Sequence, residues 1–178
     1  AGAANAVPPE PDSFVLYDPS AEGPAAPAWQ LVEARNHVTG VRGLVAVLFG
    51  IAHERGRSRP ASLRVDCVEG QTHVHVDIDG LGPAPSAVAV KYSLDGGRFV
   101  ASGRPANADG SGLVLSGDRA IQFATELYGK AELRLAVVRP LSAPFLVTFV
   151  VGGAEKSLRP LAERCLWSGG PAISDAGR

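Results

Sequence analysis

The segment from His73 to Asp79 reads H-V-H-V-D-I-D, an unbroken alternation of polar and apolar side chains. Period 2 is the signature of an extended strand with one wet face, because successive side chains leave a strand on opposite sides. Val74, Val76 and Ile78 are therefore expected to face a core. His73, His75, Asp77 and Asp79 are expected on the other face, adjacent pairs standing about 7 Å apart. The run before it, Ser62 to Cys67, repeats the pattern with Leu63, Val65 and Cys67 inward and Arg64 and Asp66 outward. Glu69-Gly70 between the two runs predicts a hairpin turn.

Further strands are expected at Ala87 to Leu94, ended by Asp95-Gly96-Gly97, and at the short Leu113 to Leu115. Glu132 to Val138 and Phe145 to Val151 are rich in Val, Leu and Phe, with Pro140 to Pro144 turning the chain between them. Val41 to Phe49 reads as another strand, although Gly43 and its continuous apolar run leave a helix open. Two helices fit the remainder. Ser116 or Asp118 is expected to cap one that carries Ala120, Ile121, Phe123, Ala124, Leu127 and Tyr128, with Gly129 as its stop. Ser157 is expected to cap the other, with Leu158, Leu161, Ala162 and Cys165 on one face and Pro160 in its first turn. The fold class is mainly β (α+β): one antiparallel, sandwich-like domain over residues 28–167 with two short helices.

Residues 1–27 are proline- and alanine-rich, and Glu10, Asp12, Asp18 and Glu22 are their only charged side chains. They read as an extended arm. Phe14-Val15-Leu16-Tyr17 interrupts it, and four large apolar residues in a row mark a segment that docks, on a partner or back on its own domain. Residues 168–178 read as a loose tail. A net charge of −1 supplies no field to attract nucleic acid or an anionic membrane. The most apolar stretch, Gly43 to Ala52, falls well short of the roughly 20 residues that span a bilayer. The absence of methionine and the opening Ala1-Gly2-Ala3-Ala4 suit a mature chain after signal-peptide removal, hence export to the periplasm.

Cys67 and Cys165 both point toward the expected core and are far apart in sequence. They are either buried thiols or a disulfide, and an exported chain favours the disulfide, which would staple the last helix to the sheet. No His lies close in sequence to activate either as a nucleophile.

His73 and His75 at i and i+2 could share a transition metal, with a carboxylate from a neighbouring strand completing the shell. Any half-exposed strand demands the same alternation, and a solvated sheet face accounts for it without a metal. His37 and His53 are isolated. His53 to Pro60 reads as a polar loop with Arg55, Arg57 and Arg59, and Asn107 to Gly112 as a turn without the ligand spacing of a calcium loop. No phosphate-binding glycine motif or G-x-S-x-G elbow is present. The expectation is a non-enzymatic chain that needs no cofactor.

L-R-V-D-C at 63–67, the alternating 73–79 run, and V-K-Y-S-L-D-G-G at 90–97 together resemble the periplasmic VasI/TagO-type accessory proteins associated with type VI secretion. Ala120-Ile121-Gln122-Phe123 with Leu127, then Glu132 to Arg139, Phe145 to Phe149 and L-x-x-L-x-x-x-C-x-W at 158–167, follow in that family's order. Ser93 stands where the family has Arg, and Arg98-Phe99-Val100 lacks its Trp. The resemblance implies a periplasmic interaction domain, an accessory subunit of an envelope protein complex, more strongly than a secretion component. A metal- or small-ligand-binding protein using His73 and His75 is the rival from another class.

Overall fold

A computed structural model describes residues 28–35, 42–79, 89–101, 112–138 and 144–167. Phe14 to Tyr17 and the rest of 1–27, His37, residues 107–111, most of the 140–144 turn and the 168–178 tail lie outside the described residues. The strands are β1 (Gln30–Arg35), β2 (Arg42–Glu54), β3 (Arg57–Val68), β4 (Gln71–Ile78), β5 (Ala89–Leu94), β6 (Val100–Ala101), β7 (Gly112–Ser116), β8 (Glu132–Val138) and β9 (Phe145–Val150). Helices α1 (Asp118–Glu126) and α2 (Ala154–Arg164) complete the described elements.

The strands form one antiparallel sheet in the order β6-β5-β8-β9-β2-β3-β4-β7. Its long axis is the β2–β3 hairpin, paired from Leu44↔Cys67 to Glu54↔Arg57. The opposite edge of β2 is shared: β1 takes its first half and β9 pairs at Ile51 to His53. Three strand reversals use a residue at positive φ followed by glycine: Arg55-Gly56, Glu69-Gly70 and Asp95-Gly96. Two successive positive φ values match the right-handed twist of the flanking strands, and glycine takes the second without a steric cost. At the last reversal, Asp95 Oδ1 accepts the Ala131 and Glu132 amides at 2.9 Å each, tying the turn to the start of β8. These two backbone bonds, Glu132 first, hold the exposed Asp95 carboxyl below the usual carboxylate range.

The sheet curls. Helix α1 packs on β4 and β7 at one end of the strand order, while its Phe123 meets the Tyr92 ring of β5, near the other end, edge-on at 5.2 Å. Tyr92 also donates its hydroxyl hydrogen to Glu126 of α1. Within the curl lie Leu48, Leu63, Val65, Val74, Val76, Leu133, Leu135, Phe145 and Phe149, all fully buried. α2 closes the core over β2 and β3 with Leu158 and Leu161. Cys67 and Cys165 form a disulfide, Cα atoms 5.8 Å apart, linking the end of α2 to β3. Beside it Trp167 donates its indole N–H to the buried Thr72 hydroxyl at 2.7 Å, so this corner carries a covalent and a polar clasp together.

Several expectations are corrected. The His53 to Pro60 segment is not a loop; the β2–β3 ladder runs through it and only Arg55-Gly56 turns. Of the Val41 to Phe49 run, the described residues from Arg42 on lie in β2, the strand and not the helix the run left open, with pairing partners on both sides. Neither Ser116 nor Asp118 caps α1. Ser116 is still paired to His73, Gly117 donates to the Thr72 carbonyl, and the helix starts from Gly117 at φ 60 without a side-chain cap. Likewise α2 begins at Ala154, not after Ser157. The Val151 amide closes the strand on Ala131, Gly152 and Gly153 turn at once, and Ser157 already donates to the Gly153 carbonyl. Pro160 consequently sits inside α2 and not in its first turn. The sequence pattern predicts neither β1 nor β6.

Candidate functional site

The outer face of the curled sheet, opposite the helices, carries His53, His73, His75 and Asp77. Its first feature lies on β3 and β4. The two-residue turn at Glu69-Gly70 sets the register so that Asp66 stands opposite His73, and Arg64 opposite His75. Asp66 is buried, and its carboxylate takes both rings: Oδ1 lies 2.9 Å from His73 Nδ1 and Oδ2 lies 3.2 Å from His75 Nε2. The two imidazole centroids are 6.1 Å apart, and the Arg64 Nε is 4.0 Å from Oδ2. Burial pushes the Asp66 carboxyl up, but the hydrogen bonds from His75 and His73 and their charge outweigh it and hold the group below the usual range.

His73 and His75 thus share the face expected of them, with Asp77 beside them, whereas Asp79 lies in the turn after β4. They are half-buried, each turned to a carboxylate placed one strand away. Among the described residues no group of three or more His, Cys, Asp and Glu side chains is set to hold a metal ion. The alternation predicts Asp66 on the outward face, and there the two rings bury it. The signal that could have found its role is the turn itself, which fixes which residues of the two strands meet.

The second feature, missed in the sequence, lies on β8, β9 and the far half of β2. One transverse row reads Lys91, Ala136, Leu146, His53; the next reads Ser93, Arg134, Thr148, Ile51. Across these rows Val138, Leu146 and Ile51 form a diagonal of large apolar side chains, 40%, 40% and 52% exposed, and Val150 adds another at 45%. Lys91, Arg134 and His53 flank them, His53 lying 3.1 Å from the Ser58 hydroxyl and Arg134 bonded to Glu132 at 2.6 Å. Ser93 is buried with its hydroxyl unbonded. A signal for the apolar diagonal lies in the richness of Glu132 to Val138 and Phe145 to Val151 in Val, Leu and Phe. Strands that alternate hide only one face, and these carry apolar side chains on both.

Fold and face together define a curled antiparallel sheet closed by two helices, one anchored by a disulfide, with an outer surface that is polar at one end and apolar at the other. No helix among the described residues is long and apolar enough to cross a membrane. No family model, curated protein or solved structure matches the chain.

Proposed function

We propose that this chain is a non-enzymatic interaction domain that works in the periplasm as an accessory subunit of an envelope protein complex. The observation that carries the reading is the exposed apolar diagonal Val138, Leu146, Ile51 with Val150, on strands whose opposite face is fully packed. Large apolar side chains gathered on one surface and flanked by polar ones are the usual mark of a protein-binding site. The Cys67–Cys165 disulfide supports an oxidising compartment, since such bonds persist outside the cytosol. The secretion-accessory role is a narrower form of the same reading and rests on the resemblance alone.

The test compares capture from detergent-solubilised envelope membranes by the full chain and by its Ile51→Lys/Leu146→Lys variant. Both positions are exposed, so the variant is expected to fold with an unchanged far-UV spectrum. A defined complex recovered by the wild type and lost by the variant is the expected result. Equal recovery, or none by either, overturns the reading. The metal-binding alternative rests on His73 and His75, each of which turns one ring nitrogen to Asp66 and has a second to offer an ion. It expects a transition metal to copurify with the wild type and to vanish in the His73→Ala/His75→Ala variant.

A further inference from the structure

One transverse row of the outer face places an acid, a base and a hydroxyl on three successive strands. Asp66 of β3 stands opposite His73 of β4, and His73 stands opposite Ser116, the last residue of β7. Gly117 donates its amide to the Thr72 carbonyl, which makes His73 and Ser116 the narrow, non-hydrogen-bonded pair beside that bond. Cα atoms of such a pair stand about 4.5 Å apart, with their side chains close. β7 ends the strand order and Ser116 is exposed, so a reagent can reach it.

The histidine is set for this neighbour. Asp66 is buried and ionised, and a carboxylate only accepts, so His73 Nδ1–H donates the 2.9 Å bond between them. In the neutral ring Nε2 is then the bare nitrogen, a base at the free end of the imidazole. Asp66 fixes that choice without touching the hydroxyl. His75 takes the other carboxylate oxygen through Nε2, and its neighbour on β7 is Val114, which has no proton to give. His53 and Ser58 also meet, at 3.1 Å, but on its other side His53 faces Leu146 and not a carboxylate. The reagent class follows from the surroundings of Ser116. The Gly117 amide next to it, a natural donor to a developing oxyanion, is already given to Thr72. Amides and plain alkyl esters need such a donor. An acyl group on a good leaving group, an aryl ester or a thioester, does not.

We propose that Ser116 is a nucleophilic serine that accepts an acyl group from an activated ester or thioester, with His73 as its base and Asp66 positioning the ring. Ser116 Oγ bonds to the acyl carbon while its proton passes to His73 Nε2. The carbon–oxygen or carbon–sulfur bond to the leaving group breaks, and the leaving group departs with that electron pair and takes the proton from Nε2. The products are acyl-Ser116, a free alcohol or thiol, and a neutral ring. This chemistry goes beyond the docking reading and sits at the polar end of the outer face.

The test treats the full chain with 4-nitrophenyl acetate and reads nitrophenolate release together with the acetylated position by peptide mass mapping. An acetyl group on Ser116 is expected, and none at that position in Ser116→Ala, whose exposed site leaves the fold intact. His73→Ala should slow acylation of Ser116 by about 100-fold, with added imidazole restoring it, whereas His75→Ala should keep the wild-type rate. Asp66→Asn should slow it too, and long-range proton–nitrogen NMR should show the His73 hydrogen leaving Nδ1 for Nε2. Acetyl groups confined to lysines, to the amino terminus or to Ser58 overturn the proposal, as does a Ser116 adduct that forms equally fast in His73→Ala. Release that runs past one equivalent and is lost in Ser116→Ala upholds the nucleophile and removes the non-enzymatic half of the reading above. Failure of the capture experiment bears on the docking half alone.

Discussion

Asp66 holds two histidine rings with one carboxylate, and replacing it by Asn is expected to cost about 1.5–3 kcal/mol, since its bonds involve a charged acceptor. Thermal denaturation at neutral pH measures this. The sign with pH follows from its lowered ionisation. The unfolded chain binds a proton to this group at higher pH than the native chain does. The stabilisation is therefore whole above the ordinary carboxylate value and disappears as pH falls through the lowered native one. The wild type should lose stability over that acid window, and the Asp66→Asn variant should lose less. Gly50 makes a steric prediction on the same scale. A Cβ there would stand 2.4 Å from the Phe149 ring and 2.5 Å from the Thr148 carbonyl oxygen. The ring can shift but the backbone cannot, so Gly50→Ala should destabilise toward the upper end of about 1–3 kcal/mol, read from a denaturant midpoint. The polar alternation around His73 was legible in the sequence. The burial of Asp66 was not, because it depends on two rings from a neighbouring strand folding over it.

Among the elements, α2 shows what local signals can and cannot do. Its buried stripe, Leu158 and Leu161 with Cys165 at its end, follows from helical spacing and was readable. Its start was not, because the Ser157 cap signal lost to the Gly152-Gly153 turn imposed by the end of β9. The disulfide at its C-terminal end closes a sequence separation of 98 residues. In the chain-entropy model such a closure stabilises by about 4–5 kcal/mol, with engineered cases often lower. Reduction, or Cys67→Ala/Cys165→Ala, should lower the denaturant midpoint accordingly. Amide exchange should accelerate first in α2 and around Thr72, where Trp167 donates its hydrogen bond. Acceleration confined to β5 and β6 would show that the staple does not act there.

For the whole molecule, the curl depends on α1 touching both ends of the sheet. Tyr92 is the link on the β5 side, through Phe123 and Glu126. Tyr92→Phe keeps the ring contact and removes the hydroxyl, and should cost about 1 kcal/mol, with faster amide exchange in β5 than in β3. Burial, then the hydrogen bond and charge of Glu126, push the Tyr92 phenol up. Its stabilisation is thus whole below the ordinary tyrosine range and lost only as strongly alkaline pH is reached, a loss the Phe variant should not show. By itself the sequence determined the strands that alternate, the faces of both helices, two of the three glycine turns and the inward placement of its two cysteines, whose bonding it left between thiols and a disulfide. These rest on periodicity and on backbone conformations that favour glycine. Only the tertiary structure decided that β1 and β9 share one edge of β2, that Asp66 is buried beneath His73 and His75, and that Ile51, Leu146 and Val138 form one diagonal. Each of these depends on strands far apart in sequence lying side by side, and no local pattern encodes which distant strand a given edge will meet.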